Sequence, residues 1–184
     1  MKKHLFPAIK LSIISMLVFV VFYTLIVWGI GYFIAPNHGN GEVVTLNGKT
    51  VGYKLVGQSF TLAKYFNGRP SAVGYNAAGS GGSNKGPSNP DYLKGVQAAI
   101  DTFLMKNPTI KKEDVPVELV TASGSGLDPD ISPKAAMVQI PRIAKERHLN
   151  EDQLSVLVNK HIEKPLFGPE HVNVLLLNVD LDKL

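Results

Sequence analysis

Residues 11–35 read LSIISMLVFVVFYTLIVWGIGYFIA, 25 positions without an Asp, Glu, Lys, Arg or His. No other feature constrains the chain as much. A bilayer core of about 30 Å is crossed by about 20 helical residues, so this run is predicted to span a membrane with some tilt. Lipid offers no partners to backbone polar groups, so a single span must be an α-helix. Lys2, Lys3 and Lys10 precede it, and the first Lys or Arg after it is Lys49. That asymmetry predicts a single-pass protein of the inner or plasma membrane, with residues 1–10 cytoplasmic and residues 36–184 outside. Trp28 and Tyr32 lie near the outer end, where aromatic rings favour the interface. A cleaved signal peptide is the plain alternative. Its apolar core would be roughly 7–15 residues, with small residues before the cut, whereas Phe33 occupies such a position before Ala35. The segment therefore reads as a retained anchor.

The 149 residues beyond Ala35 suffice for one domain with its own core. The formal charge is +4, but three of the 19 basic residues precede the span. The outer part keeps 16 basic against 15 acidic residues. Its near-neutral balance and lack of a basic run argue against nucleic acid as a partner. The chain has no cysteine, which excludes disulfides, thiolate chemistry and any metal site needing Cys.

After a polar linker at 36–41, Glu42–Leu46 and Thr50–Gln58 read as strands joined by Asn47-Gly48, a strong hairpin signal. Residues 71–90, SAVGYNAAGSGGSNKGPSNP, read as a long irregular loop. Asn89-Pro90-Asp91 starts a helix whose apolar positions are Leu93, Val96, Ile100, Phe103 and Leu104, ending near Asn107-Pro108. Val117–Thr121 reads as a buried strand. Ser132-Pro133 opens a helical region that Pro141 kinks or divides. Asn150 with Gln153 opens another helix, which Lys164-Pro165 stops. Val172–Leu177 reads as a final buried strand. The expectation is an α+β domain with a small sheet packed by helices.

Catalytic signatures are weak. No GxxxxGK[ST] loop occurs, although the Gly-rich backbone at 79–85 could form an anion-binding nest. Ser125 lies between Gly124 and Gly126, but a hydrolase elbow needs Gly at 127, where Leu stands. Ser123 or Ser125 with His148 or His161 would make a hydrolase, yet no spacing pairs them. The spacing of His148, His161 and His171 matches no metal motif. Asp128 and Asp130 flank Pro129, which favours turn chemistry over a cation site.

The stretch Leu119–Pro133, LVTASGSGLDPDISP, strongly resembles the C subunit of the Kdp potassium-transporting ATPase. So do Tyr65-Phe66 with Arg69-Pro70-Ser71, then Ser80-Gly81-Gly82-Ser83-Asn84, then Gln139, Arg142 and Ala144, and finally Asn173-Val174-Leu175 with Leu177-Asn178. The resemblance covers essentially the whole chain. It departs at Asp130, where the family usually carries His, so any role of that histidine does not transfer.

The resemblance implies a non-catalytic subunit of an ATP-driven potassium importer. Its implied partners are a channel-like potassium subunit, a P-type ATPase subunit and a very small membrane subunit, within the bilayer. It further implies a role in assembly, and a chaperone-like action raising the ATP affinity of the ATPase subunit. No firmly bound cofactor is implied; ATP is possible in the complex, and potassium is the transported ion. Candidate partner or nucleotide contacts are Arg69, Ser80, Gly81, Gly82, Ser83, Asn84, Ser123, Ser125, Asp128, Gln139 and Arg142; no catalytic or metal residue is assigned. The chain lacks the Asp-Lys-Thr-Gly phosphorylation motif, so it is not the ATPase itself. A domain outside the membrane would not meet cytoplasmic ATP, which favours docking over the ion entrance. The alternative is a membrane-anchored nucleotide or anion module using residues 79–85.

Overall fold

The computed structural model describes residues 2–184. The chain divides into two compact units, one ending at Glu42 and the other comprising Val43–Leu184. In the first, helix α1 (Lys2–Met16) continues through Leu17–Phe22 into α2 (Tyr23–Ile34). The middle stretch widens to i→i+5 hydrogen bonds, as from Tyr23 N–H to Val18 O. The continuous helix has the length and hydropathy to cross a membrane, and its most apolar stretch is 0 % buried by the rest of the chain. A helix apolar all round and uncovered is one that lipid can solvate. Ala35 turns extended and ends it, and Asn37 and His38 take left-handed conformations. The His38 ring stacks on Tyr32, with Nδ1 3.1 Å from the Tyr32 carbonyl oxygen.

The second unit opens with an antiparallel hairpin of β1 (Val43–Leu46) and β2 (Lys49–Tyr53). Asn47 and Gly48 both have positive φ, as the Asn-Gly signal requires. The second strand stops at Tyr53, short of the expected Gln58. Between Tyr53 and Pro90 there is neither helix nor strand. The expected helix follows as α3 (Pro90–Lys106), with Asn89 Oδ1 accepting from the Asp91 and Tyr92 amides.

Val117–Thr121 is not a strand. Val117–Leu119 is a short 3₁₀ turn, and the amides of Val120 and Thr121 both donate back to the Val117 carbonyl. Leu119 and Val120 are buried, as expected, but an apolar run reports burial rather than conformation. Strand β3 (Asp130–Ile131) precedes α4 (Pro133–Met137), whose first turn is capped by Ser132 Oγ accepting from Ala135 N–H. Pro141 divides the helical region as predicted, standing in the first turn of α5 (Ile140–Arg147), where no N–H donor is needed. Asn150 caps α6 (Glu151–Lys160) through the Asp152 amide.

The end of the chain differs from expectation. β4 (Ile162–Glu163) and β5 (His171–Asn173) join β3 in an antiparallel sheet of order β3-β5-β4. The expected strand Val172–Leu177 yields at Asn173, whose side chain accepts from Leu176 N–H and starts α7 (Val174–Leu181). This helix buries Val174, Leu175, Leu177, Asn178, Val179 and Leu181, so it is apolar around most of its circumference and shows no amphipathic period. Phe66, Ile143, Leu154, Val158, Leu177 and Leu181 form the centre of the main core; Leu175 and Val179 pack with Val44 of the hairpin. The α+β class stands, with two small sheets in place of the single one expected.

Candidate functional site

The segments carrying the resemblance meet one another. Residues 69–82 lie along residues 122–128 in a lock made mostly of backbone. Gly81 N–H and Ser80 Oγ both donate to the Ser125 carbonyl, at 2.8 and 3.0 Å. Ser71 Oγ donates to the Gly126 carbonyl at 2.6 Å and accepts from the Val73 and Tyr75 amides. Ser123 N–H donates to the Pro70 carbonyl at 3.1 Å. The glycines explain themselves here. Gly126 has φ +68, and a Cβ on it would stand 2.6 Å from Val73 Cγ2 and 2.8 Å from the Gly81 carbonyl oxygen. A Cβ on Gly82 would lie 3.1 Å from the Gly124 carbonyl oxygen. Two backbones approach too closely for side chains.

Ser123 is buried, and its Oγ accepts from Gly126 N–H. Ser125 Oγ accepts from Leu127 N–H. Among the described residues no hydrogen bond joins either serine to His148 or His161; His161 instead faces Asp180, at 2.9 Å. Ser83 and Asn84 are exposed, and Asn84 is left-handed at φ 53. The Gly81 amide, one candidate donor of an anion nest, is already committed to Ser125.

Arg69 pairs with Asp128 at 3.0 Å, both about a quarter exposed. The other carboxylate oxygen of Asp128 accepts from the Asp130 amide at 3.1 Å, so Asp128 shapes the turn at Pro129, the role favoured from sequence. The strand pairing of Asp130 with Asn173, and Val174 N–H donating to the Pro129 carbonyl, tie this turn to β5 and α7. Burial raises the Asp130 carboxyl above its ordinary value, opposed by the neighbouring His171. The Arg69 Nε is buried without a partner among the described residues.

Gln139 and Arg142 lie elsewhere, inside the fold. Gln139 Oε1 accepts from Asn67 N–H and from the Arg142 guanidinium, each at 2.8 Å; its Nε2 donates to the carbonyls of Asn67 and Ala135. Arg142 also donates to Asn107 Oδ1 and to the carbonyls of Ala63 and Tyr65. Burial lowers its pKa to about 10, opposed by the charge of the neighbouring Glu146. These two side chains fasten the 63–67 segment. Asn107, expected only as a helix end, and Asn178, expected only within the closing motif, complete this network; both are buried polar residues. For Asn178 the available signal is an Asn within the apolar run 174–179, since such a group needs partners once buried.

Two clefts lie by α3. One, about 320 Å³, is lined by Asn67, Gly68, Ala98, Ala99, Thr102, Phe103, Lys106 and Leu119. The other, about 400 Å³, lies beside Arg142, Asn107 and Pro141. Neither is lined by residues 80–84 or 123–128.

The chain's similarities extend over its whole length. The family model described as KdpC, K+-transporting ATPase, c chain, matches residues 5–183. A protein of Flavobacterium johnsoniae called potassium-transporting ATPase KdpC subunit is 56% identical over 182 residues, covering 99% of each chain. One from Bacteroides fragilis with the same name is 52% identical over 187 residues, covering 99% of this chain and 98% of its own. One from Bacillus cytotoxicus, also so named, is 41% identical over 186 residues, covering 99% and 97%.

Proposed function

Because the chain belongs to the KdpC family, the c chain of K+-transporting ATPases, we propose that it acts as the accessory, non-catalytic subunit that stabilises the assembled transporter. The family match over residues 5–183 carries this reading. The glycine motifs fit it, because their backbone groups bind one loop to the other and present a rigid surface. In this proposal residues 11–35 of the long helix span the bilayer, residues 1–10 are cytoplasmic, and residues 36–184 stand outside. There they dock on the channel-like subunit near the ion entrance, with the P-type ATPase subunit and the small membrane subunit completing the complex. Potassium is then the cargo of the complex. An influence on the ATP affinity of the ATPase subunit would pass through coupled conformations of the partners, since it requires differential binding to two of their states.

The side of the membrane is the first test. Ser88 is exposed and the chain has no cysteine, so Ser88→Cys offers a unique thiol. A membrane-impermeant maleimide should label it on intact cells. Protection in cells with labelling after lysis, repeated at Lys183→Cys, would place the domain inside and move the nucleotide-binding alternative to the front. Deletion of Val43–Leu184 should abolish co-purification of the complex or potassium uptake. Unchanged uptake with intact co-purification would overturn the accessory role.

A further inference from the structure

We propose that the tip of the β4–β5 hairpin, Leu166 and Phe167, inserts into the lipid surface of the membrane that anchors the chain. The proposal rests on the reading of α1–α2 as a span. Leu166 is 89% and Phe167 88% exposed, more than any other large apolar residue among the described ones, the long helix included. Scattered apolar residues on a surface are ordinary, but two adjacent ones projecting from a fold are not scattered.

The tip is also held in shape. Ile162 pairs with Val172 and Glu163 with His171 at its base. Above them Lys164 Nζ and Glu170 Oε1 close the neck at 2.8 Å. Pro165 and Pro169 restrict the backbone, and Gly168 turns it at φ +114. An ordered tip loses little conformational freedom on insertion.

Area decides between lipid and protein as the occupant. An aromatic side chain buries about 150–250 Å², and the pair together falls far below the roughly 1,000 Å² that a specific protein interface needs. A tethered domain needs much less, because its second membrane contact is intramolecular. Residues 35–42 link helix and hairpin, and eight residues reach at most roughly 28 Å. Val43, where the domain begins, is therefore tethered within that distance of the end of the helix. The Lys164–Glu170 pair would sit at headgroup level, with the two apolar side chains beneath it.

The test uses the full chain. Trp28 is the only tryptophan, so Trp28→Phe with Phe167→Trp leaves a single reporter on an exposed side chain. The protein is reconstituted into phosphatidylcholine–phosphatidylglycerol vesicles, with and without brominated acyl chains. Insertion predicts blue-shifted emission that is lost in brominated lipid and is insensitive to iodide. Red-shifted, iodide-quenched emission overturns insertion while leaving the anchor intact. So does a blue shift that appears only when the other Kdp subunits are added and that brominated lipid does not quench, which would mark a protein pocket. Failure of the chain to float with the vesicles overturns the anchor reading, and insertion with it.

Discussion

Asn178 and Phe66 exchange two hydrogen bonds of 2.9 Å each, although 112 positions separate them: Phe66 N–H donates to Asn178 Oδ1, and Asn178 Nδ2 donates to the Phe66 carbonyl. Gln139 does the same for Asn67, at 2.8 and 3.1 Å. Two side-chain amides thus stand in for a neighbouring strand along a segment that has none. Asn178→Ala would strand both polar groups of a buried residue, at a cost of about 2–4 kcal/mol. Urea unfolding of the full chain in detergent should show the loss as a lower midpoint. A loss below about 1 kcal/mol would mean that water replaces the amide.

Gly126→Ala should loosen the lock between the two loops. It places a Cβ 2.8 Å from the Gly81 carbonyl oxygen on a residue already at φ +68. The left-handed conformation alone costs an L-residue about 1–2 kcal/mol. Trypsin cleavage after the exposed Lys85 should accelerate. Gly79→Ala, where a Cβ would meet nothing within 4 Å, is the control and should leave the rate unchanged.

The Arg69–Asp128 pair should couple weakly. Both side chains are about 28% exposed at 3.0 Å. A double-mutant cycle of Arg69→Met and Asp128→Asn should give a coupling on the order of 1 kcal/mol. Asn at 128 retains the side-chain oxygen that caps the Asp130 amide, so the turn survives. A coupling near zero would leave Asp128 with its turn role alone.

Acid should separate wild type from Lys183→Met in a defined direction. Hydrogen bonding from Lys183 lowers the Asp180 carboxyl below its ordinary 3.8; burial opposes this, and His161 assists. A carboxyl depressed in the folded state stabilises the protein above its unfolded pKa. That stabilisation is lost as pH falls through the folded value. The difference in stability between the two proteins should therefore be constant well above the ordinary value of 3.8 and shrink as pH falls through that value and below it. A difference that grows in acid would contradict the assignment of the shift to Lys183.

Much was legible in the residues because it depends on neighbours in sequence. The Leu11–Ala35 run implied a helix fit to cross a membrane, since lipid leaves an apolar segment no other backbone solution. Asn47-Gly48, Asn89-Pro90, Ser132-Pro133 and Asn150 placed their turn and caps correctly, because each acts within four residues. The motifs at 65–71, 80–84 and 119–133 carried the family resemblance. Tertiary structure decided the rest. Val117–Leu119 became a turn because the amides of Val120 and Thr121 close on the Val117 carbonyl, and the Val172–Leu177 run became mostly helix because the Asn173 side chain caps it while the core surrounds α7. Burial on most faces erases the period by which helix and strand are told apart. Gln139 and Arg142 were candidates for outside contacts, yet they bond inward to residues 63–67. Which way a polar side chain points depends on distant partners such as Asn67 and Ala63, which adjacent sequence does not specify.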